Sequence, residues 1–275
     1  MNEKNYFPNS ISASVLKTIA IISMLIDHFF VIVYPECLNK LGLMPPSYDL
    51  SDDLLYVTGR SIGRISFVLF AFMITQGMIH TSNEPRYLLR LLLMAIISEP
   101  IYDIAFNHPM GFSLGLPMQN TFFTLFLGAL CIYIIKRYAD RKVLLVVYIT
   151  SIFVLSLILG SDYNLSGVLV ILFLYCFANR FNLQAFSCLF TLTIIYFVNR
   201  IIYIQLFLPN YDLAKVNLLN MFFDTITPEI TSLLAFIPIY YYNGSKGYQL
   251  PKWFYYFVYP VHLLLLWAIK NLLGS

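Results

Sequence analysis

Nine stretches of this chain are long and apolar enough to cross a lipid bilayer, and that pattern leaves few folds open. They run over about 13–34, 60–80, 87–106, 119–136, 143–160, 164–179, 183–207, 229–242 and 253–273. A helical span needs about 20 mostly apolar residues. Inside hydrocarbon every backbone N–H and C=O must bond within the protein, so only helices and closed barrels span. The runs are continuous rather than alternating residue by residue, which selects helices over barrel strands. Only 11% of the residues are charged, against roughly 25% in a soluble domain. The expectation is an all-α, polytopic integral membrane protein of about nine transmembrane helices in one bundle. No internal repeat or boundary splits it, so residues 1–275 are expected to be one domain.

The net charge of +3 is too small to suggest nucleic-acid binding. Cys131, Cys176 and Cys188 lie in apolar stretches and Cys37 in a loop, with no metal-ligand spacing, so neither a disulfide framework nor a metal site is expected. The polar opening MNEKNYFPNS lacks a small-residue cleavage site, which predicts that the first span stays as a signal anchor. Lys and Arg residues gather at alternate connections: Lys4 and Lys17, then Arg86 and Arg90, then Lys136, Arg137, Arg141 and Lys142, then Arg180, then Lys246 and Lys252. By the positive-inside rule these connections are cytoplasmic. The expected topology is a cell-membrane protein with its N-terminus inside and its C-terminus outside. The outer connections then include PECLNKLGLMPPSYDLSDD, NHPMGFSLGLPM, the SDYN turn and a long loop from Pro209 to Pro228.

That topology brings polar residues of several spans to one level. Asp27 and His28 lie in the outer half of the first span, where an ionisable group costs roughly 2.5–3.5 kcal/mol to insert. Arg60 and Arg64, four residues apart, share one face of the second span, and Glu99 and Asp103 do the same on the third. Gln119 and Asn120 open the fourth span, Asp162 and Tyr163 sit in the turn before the sixth, and Asn199-Arg200 approaches the outer end of the seventh.

Each residue also has a plain structural use. The arginines can snorkel to headgroups, Glu99 and Asp103 can be their counter-ions, and Asp162 can cap a turn. His28 can be a packing residue, and His262, two positions after Pro260, can bond a carbonyl left free in the helix. Ser82 or Asn83 reads as a helix cap with Pro85 in the first turn. The convergence of the set favours a reactive centre.

Five segments in order resemble the TraX family, named for a conjugation protein that N-acetylates pilin. They are LKTIAIISMLIDH, GRSIGRISFVLFAFMITQGMIHTSNEPRYLLRLLLMAIISEPIYDIAF, QNTFFTLFLGAL, SDYNLSGVLVILFLYCF and IPIYYYNGSKGYQLPKWFYYFVYPVHLLLL. The R-x-x-x-R-x-x-F-x-x-F-x-F run and the closing YNG-x-x-G…FY-x-x-x-YP-x-H run are specific together. The resemblance covers about half the chain, and the stretch 181–228 contributes nothing to it. It implies a membrane acetyltransferase drawing on acetyl-CoA. The matching positions are Asp27, His28, Arg60, Arg64, Glu99, Asp103, Gln119, Asn120, Asp162, Tyr163 and His262. The usual end of the third segment is replaced here by EPIYDIAF, which keeps both carboxylates.

Acetyl transfer from a thioester needs a base for the acceptor and donors for the developing oxyanion. His28 is the expected base. Asp27, about 100° round the helix, is better placed to pair with an arginine of the second span. Glu99 or Asp103 is expected to orient His28. Arg60, Arg64, Gln119 and Asn120 are expected to hold the donor, and Asp162, Tyr163 and His262 the acceptor. That acceptor is a pilin-like peptide, a glycan or another envelope molecule carrying an amine or hydroxyl. Direct transfer and an acetyl-histidine intermediate both stay open. The alternative from another class is a secondary transporter or channel for a small polar or anionic substrate. A third reading is a structural partner of a secretion or conjugation assembly.

Overall fold

In the computed structural model the protein is described at residues 11–45, 48–107, 119–207 and 217–274. Twelve α-helices and no β-strand occur among them: α1 Ala13–Ile32, α2 Tyr34–Lys40, α3 Leu54–His80, α4 Glu84–Phe106, α5 Thr121–Tyr138, α6 Lys142–Leu159, α7 Asn164–Cys176, α8 Phe181–Phe190, α9 Tyr196–Phe207, α10 Leu218–Ile230, α11 Phe236–Tyr240 and α12 Lys252–Gly274. Seven helical segments meet the length and hydropathy of a membrane crossing. The other two predicted spans also become helices. In α4, Glu84, Arg86, Arg90, Glu99 and Asp103 dilute the apolar run, and α7 is 13 residues long. The chain is an all-α, multi-pass membrane protein.

Local chemistry sets the helix ends. Asp53 caps α3 by accepting from the N–H groups of Leu55 and Tyr56 at 2.8 and 3.0 Å. Its other oxygen accepts from the Tyr34 and Tyr48 hydroxyls at 2.9 and 2.5 Å. These bonds hold the Asp53 carboxyl below the usual carboxylate range, with the Tyr48 bond the largest cause, and the same bond raises the Tyr48 phenol to about 12. Asn83 caps α4 through Arg86 N–H at 3.0 Å, with Pro85 in the first turn as expected. Gly160 ends α6 in the left-handed region at φ 58°.

Three boundaries differ from the sequence reading. The first helical run continues past Pro35 to Lys40, because proline is tolerated in the first turn of α2. Much of the expected Pro209–Pro228 loop is α10, with Pro228 inside it, and the remainder, 209–216, lies outside the described residues. The seventh run is interrupted by one π-helical stretch, Thr191–Ile195, between α8 and α9. Helices α1 and α3 form the most extensive pairing, with α4, α5, α7 and α12 arranged around them. The α6 helix packs on the outside, with Ile152 and Ser156 its buried residues.

Candidate functional site

The centre of the bundle depends on how closely α1 and α3 approach. A Cβ on Gly59 would lie 2.0 Å from the Phe30 ring, and one on Gly63 would lie 2.3 Å from the Asp27 side chain. The two glycines are spaced G-x-x-x-G, which lets helix backbones come close without a side chain between them. Arg60 follows Gly59 and Arg64 follows Gly63, so the motif that brings the helices together also delivers two guanidinium groups.

Those groups have defined partners. Arg60 Nη1 donates to Asp27 Oδ1 at 2.5 Å, the pairing anticipated for Asp27. Arg64 Nε lies 3.1 Å from Glu229 Oε1, a carboxylate only 1% exposed, and Arg64 Nη1 donates to the Tyr163 hydroxyl at 3.3 Å. The Tyr163 ring stacks on Phe67 with centroids 3.7 Å apart. Both guanidinium groups are therefore matched by a carboxylate, as a low-dielectric surrounding demands.

Histidine 28 is oriented differently from the expectation. Its Nδ1 lies 2.6 Å from Nε2 of His262, and the rings are 3° from parallel. His262 Nδ1 in turn lies 2.8 Å from the Val258 carbonyl oxygen. A carbonyl only accepts, so His262 carries its proton on Nδ1. With both rings neutral, His262 Nε2 accepts and His28 Nδ1 donates. The relay leaves Nε2 of His28 with a free lone pair. Glu99, expected as the orienter, instead accepts from the Asn120 backbone N–H at 3.0 Å and from the Asn120 side-chain amide. Asp103 is buried one turn further along α4. Glu99 of α4 fastens the start of α5, and the orienting partner of His28 comes from α12.

The remaining predicted residues form a second small network. Thr121 donates to Asp162 Oδ2 at 2.7 Å, and Asp162 N–H donates to the Gln119 carbonyl at 2.9 Å. Asn199 donates to Ser166 Oγ at 2.8 Å.

A cavity of about 670 Å³ runs through the bundle past these groups. Of the predicted site residues, Asp27, His28, Asp162 and Tyr163 line it. Arg60, Arg64, Glu99, Asp103, Gln119, Asn120 and His262 are not among its lining residues and stand behind that first layer. Two contributors escaped the sequence reading. Glu229 was taken as the start of an apolar run, although a carboxylate there marks an unmatched charge seeking a partner. Tyr259, inside the FY-x-x-x-YP-x-H run, lines the cavity with its ring 6.1 Å from that of His28.

The cavity continues to the end of the bundle formed by the start of α1, the end of α3 and the start of α4. Lys17, His80, Arg90 and Lys246 line that mouth. His80, Lys246 and Gln249 are exposed there, whereas His28, Tyr163 and Tyr259 are buried. The arrangement suits a base at the buried end of a long passage. Among the described residues no cluster of His, Cys, Asp or Glu could hold a metal ion.

Comparison with known proteins follows the same segments. A family model described as "TraX protein" matches residues 12–270. A relative described as "Probable fimbrial assembly protein FimC, serogroup H1", from Dichelobacter nodosus, is 29% identical over 279 residues, covering 95% of this chain and 97% of the relative. No solved structure matches the chain.

Proposed function

We propose that this chain, which belongs to the TraX family, is a membrane acetyltransferase that moves acetyl from cytoplasmic acetyl-CoA to an amine or hydroxyl at the outer side of the membrane. The observation that carries this reading is the Val258–His262–His28 relay, which presents an unprotonated Nε2 in a long cavity. The Lys and Arg distribution supports a cytoplasmic N-terminus and an outer C-terminus. The mouth lined by Lys17 and Lys246 then faces the cytoplasm, and His28 lies toward the outer leaflet.

Bound acetyl-CoA would supply a thioester carbonyl open to attack. His28 Nε2 takes the acceptor's N–H or O–H proton while the acceptor's nitrogen or oxygen bonds to the acetyl carbon. The carbon–sulfur bond breaks, and His28 returns the proton to the departing sulfur, giving acetylated acceptor and free thiol. His262 holds His28 in the correct tautomer and accepts its Nδ1–H throughout, so it is a positioning residue. Tyr259, which lines the cavity beside His28, is placed to donate to the carbonyl oxygen as charge develops. Asp27–Arg60 and Arg64–Glu229 fix the field around the base.

The fimbrial assembly description of the relative supports a pilin-like peptide as acceptor. Mass spectrometry of cell-envelope proteins and glycans, with and without the gene, tests the function. An acetyl group present on one envelope component and lost on deletion is expected. Identical acetylation in both strains, together with gradient-driven solute uptake by vesicles lacking acetyl-CoA, would establish the transporter reading instead.

A further inference from the structure

The cavity mouth opposite His28 is chemically one-sided. Four segments supply Lys17 from α1, His80 from the end of α3, Arg90 from α4 and Lys246 from the loop before α12. The carboxylates lining the cavity are Asp27 and Asp162, both at the His28 end. Lys136, on the same side of the bundle, is engaged by Glu84 and the Met78 carbonyl and takes no part. Lys17 and Arg90 have no carboxylate within ion-pair distance among the described residues. Lys17 rests over the Tyr255 ring at 4.2 Å. Arg90 Nε is buried without a hydrogen-bond partner, an uncompensated donor beside an open passage.

The loop bearing Lys246 is pinned in place. Ala13 and Ser14 donate their N–H groups to the Ser245 and Lys246 carbonyls at 2.9 and 3.2 Å, and Asn243 N–H donates to the Ile11 carbonyl at 3.0 Å. These bonds use the first N–H groups of α1, so the attraction for anions comes from side chains. Gly247 has φ +64°, and a Cβ there would meet Ser12 Oγ at 2.2 Å, so the strap needs glycine at that position.

We propose that Lys17, Arg90 and Lys246 form a vestibule that binds the phosphates of a nucleotide-borne acyl donor, whose arm then reaches His28 through the cavity. This rests on the acetyl-CoA reading and names the residues that select the donor's head. Lys17 and His28 are separated by 11 residues of one helix, roughly 16 Å at 1.5 Å per residue. That span suits a phosphopantetheine arm, and it excludes a compact acetyl donor from touching both ends at once.

The test is calorimetric binding of 3′,5′-ADP, the head of coenzyme A without its arm, to the purified full-length protein. Wild type is expected to bind with an affinity that falls as salt rises. Lys17→Gln, Arg90→Gln and Lys246→Gln are each expected to weaken binding about tenfold, with Arg90→Lys intermediate because it keeps charge without the planar fork. Gly247→Ala, which displaces the strap without removing a charge, is expected to weaken it as well. Unchanged elution and melting temperature identify variants that remain folded. Binding that is absent in wild type, or equal in all folded variants, overturns the vestibule. If the head binds as described but no acetyl is transferred, the vestibule stands and the acetyltransferase reading fails. If acetyl transfer proceeds with the same KM for acetyl-CoA in all variants, the reverse holds.

Discussion

The imidazole of His262 lies parallel to that of His28, with Nε2 of the former 2.6 Å from Nδ1 of the latter. A histidine whose Nδ1 is held by an acceptor keeps Nε2 as its basic atom. Replacing His262 with Ala removes the acceptor and lets the tautomer and ring orientation drift. Steady-state kinetics are expected to show kcat reduced by about 10²-fold with KM for the donor little changed. His262→Gln, which offers an acceptor oxygen near the same place, is expected to recover part of the loss. Equal losses in both variants would argue against positioning.

The close approach of α1 and α3 makes a second prediction. Because a Cβ on Gly63 would fall 2.3 Å from Asp27, Gly63→Ala must push the helices apart and stretch the Asp27–Arg60 pair. The expected destabilisation is about 1–3 kcal/mol, the usual range for overpacking, measured by thermal unfolding in detergent. Gly42→Ala is the control for loss of a glycine, since open space surrounds that position, although its φ of +67° brings local strain.

Arg64 and Glu229 provide a third. Glu229→Ala leaves the Arg64 guanidinium with the Tyr163 hydroxyl but no carboxylate, with a cost of about 3–5 kcal/mol, whereas replacing both partners with Met should cost much less than the sum of the single changes. A double-mutant cycle on unfolding reads the difference directly. Additive effects would mean that the two charges do not depend on each other.

The cap of α3 gives a pH prediction outside the membrane. Asp53 titrates below its ordinary value, chiefly through the Tyr48 hydroxyl, so its contribution to stability is full above the unfolded carboxylate range and is lost as pH falls through the lowered value. Tyr48 titrates above the ordinary tyrosine range, at about 12, so its contribution is present below the ordinary phenol value of about 10 and is lost as pH rises toward 12. Tyr48→Phe is expected to weaken both dependences in melting curves taken across pH, while leaving the midpoint at neutral pH only slightly lower.

These relationships differ in how far they could be read from the residues. The helices were legible because a bilayer accepts few backbone solutions, and the caps at Asn83 and Gly160 follow local chemistry. The Asp27–Arg60 pair was legible from helical angle and depth. The partner of His28 was not, because which face of α12 meets α1 depends on packing among helices far apart in sequence. Glu229 was hidden by the proline before it, which read as the end of a loop rather than the last turn of α10. The glycines of GRSIGR were visible, but their use became clear only when Phe30 and Asp27 were found against them.

In the proposed reaction His28 accepts the acceptor's proton during acetyl transfer. This role is tested most directly by purified protein, labelled acetyl-CoA and the envelope acceptor found by mass spectrometry, comparing wild type with His28→Ala. Labelled acceptor is expected from wild type, and from the folded variant a rate reduced by about 10²–10⁴-fold, with 3′,5′-ADP binding retained. Undiminished turnover by His28→Ala would contradict it.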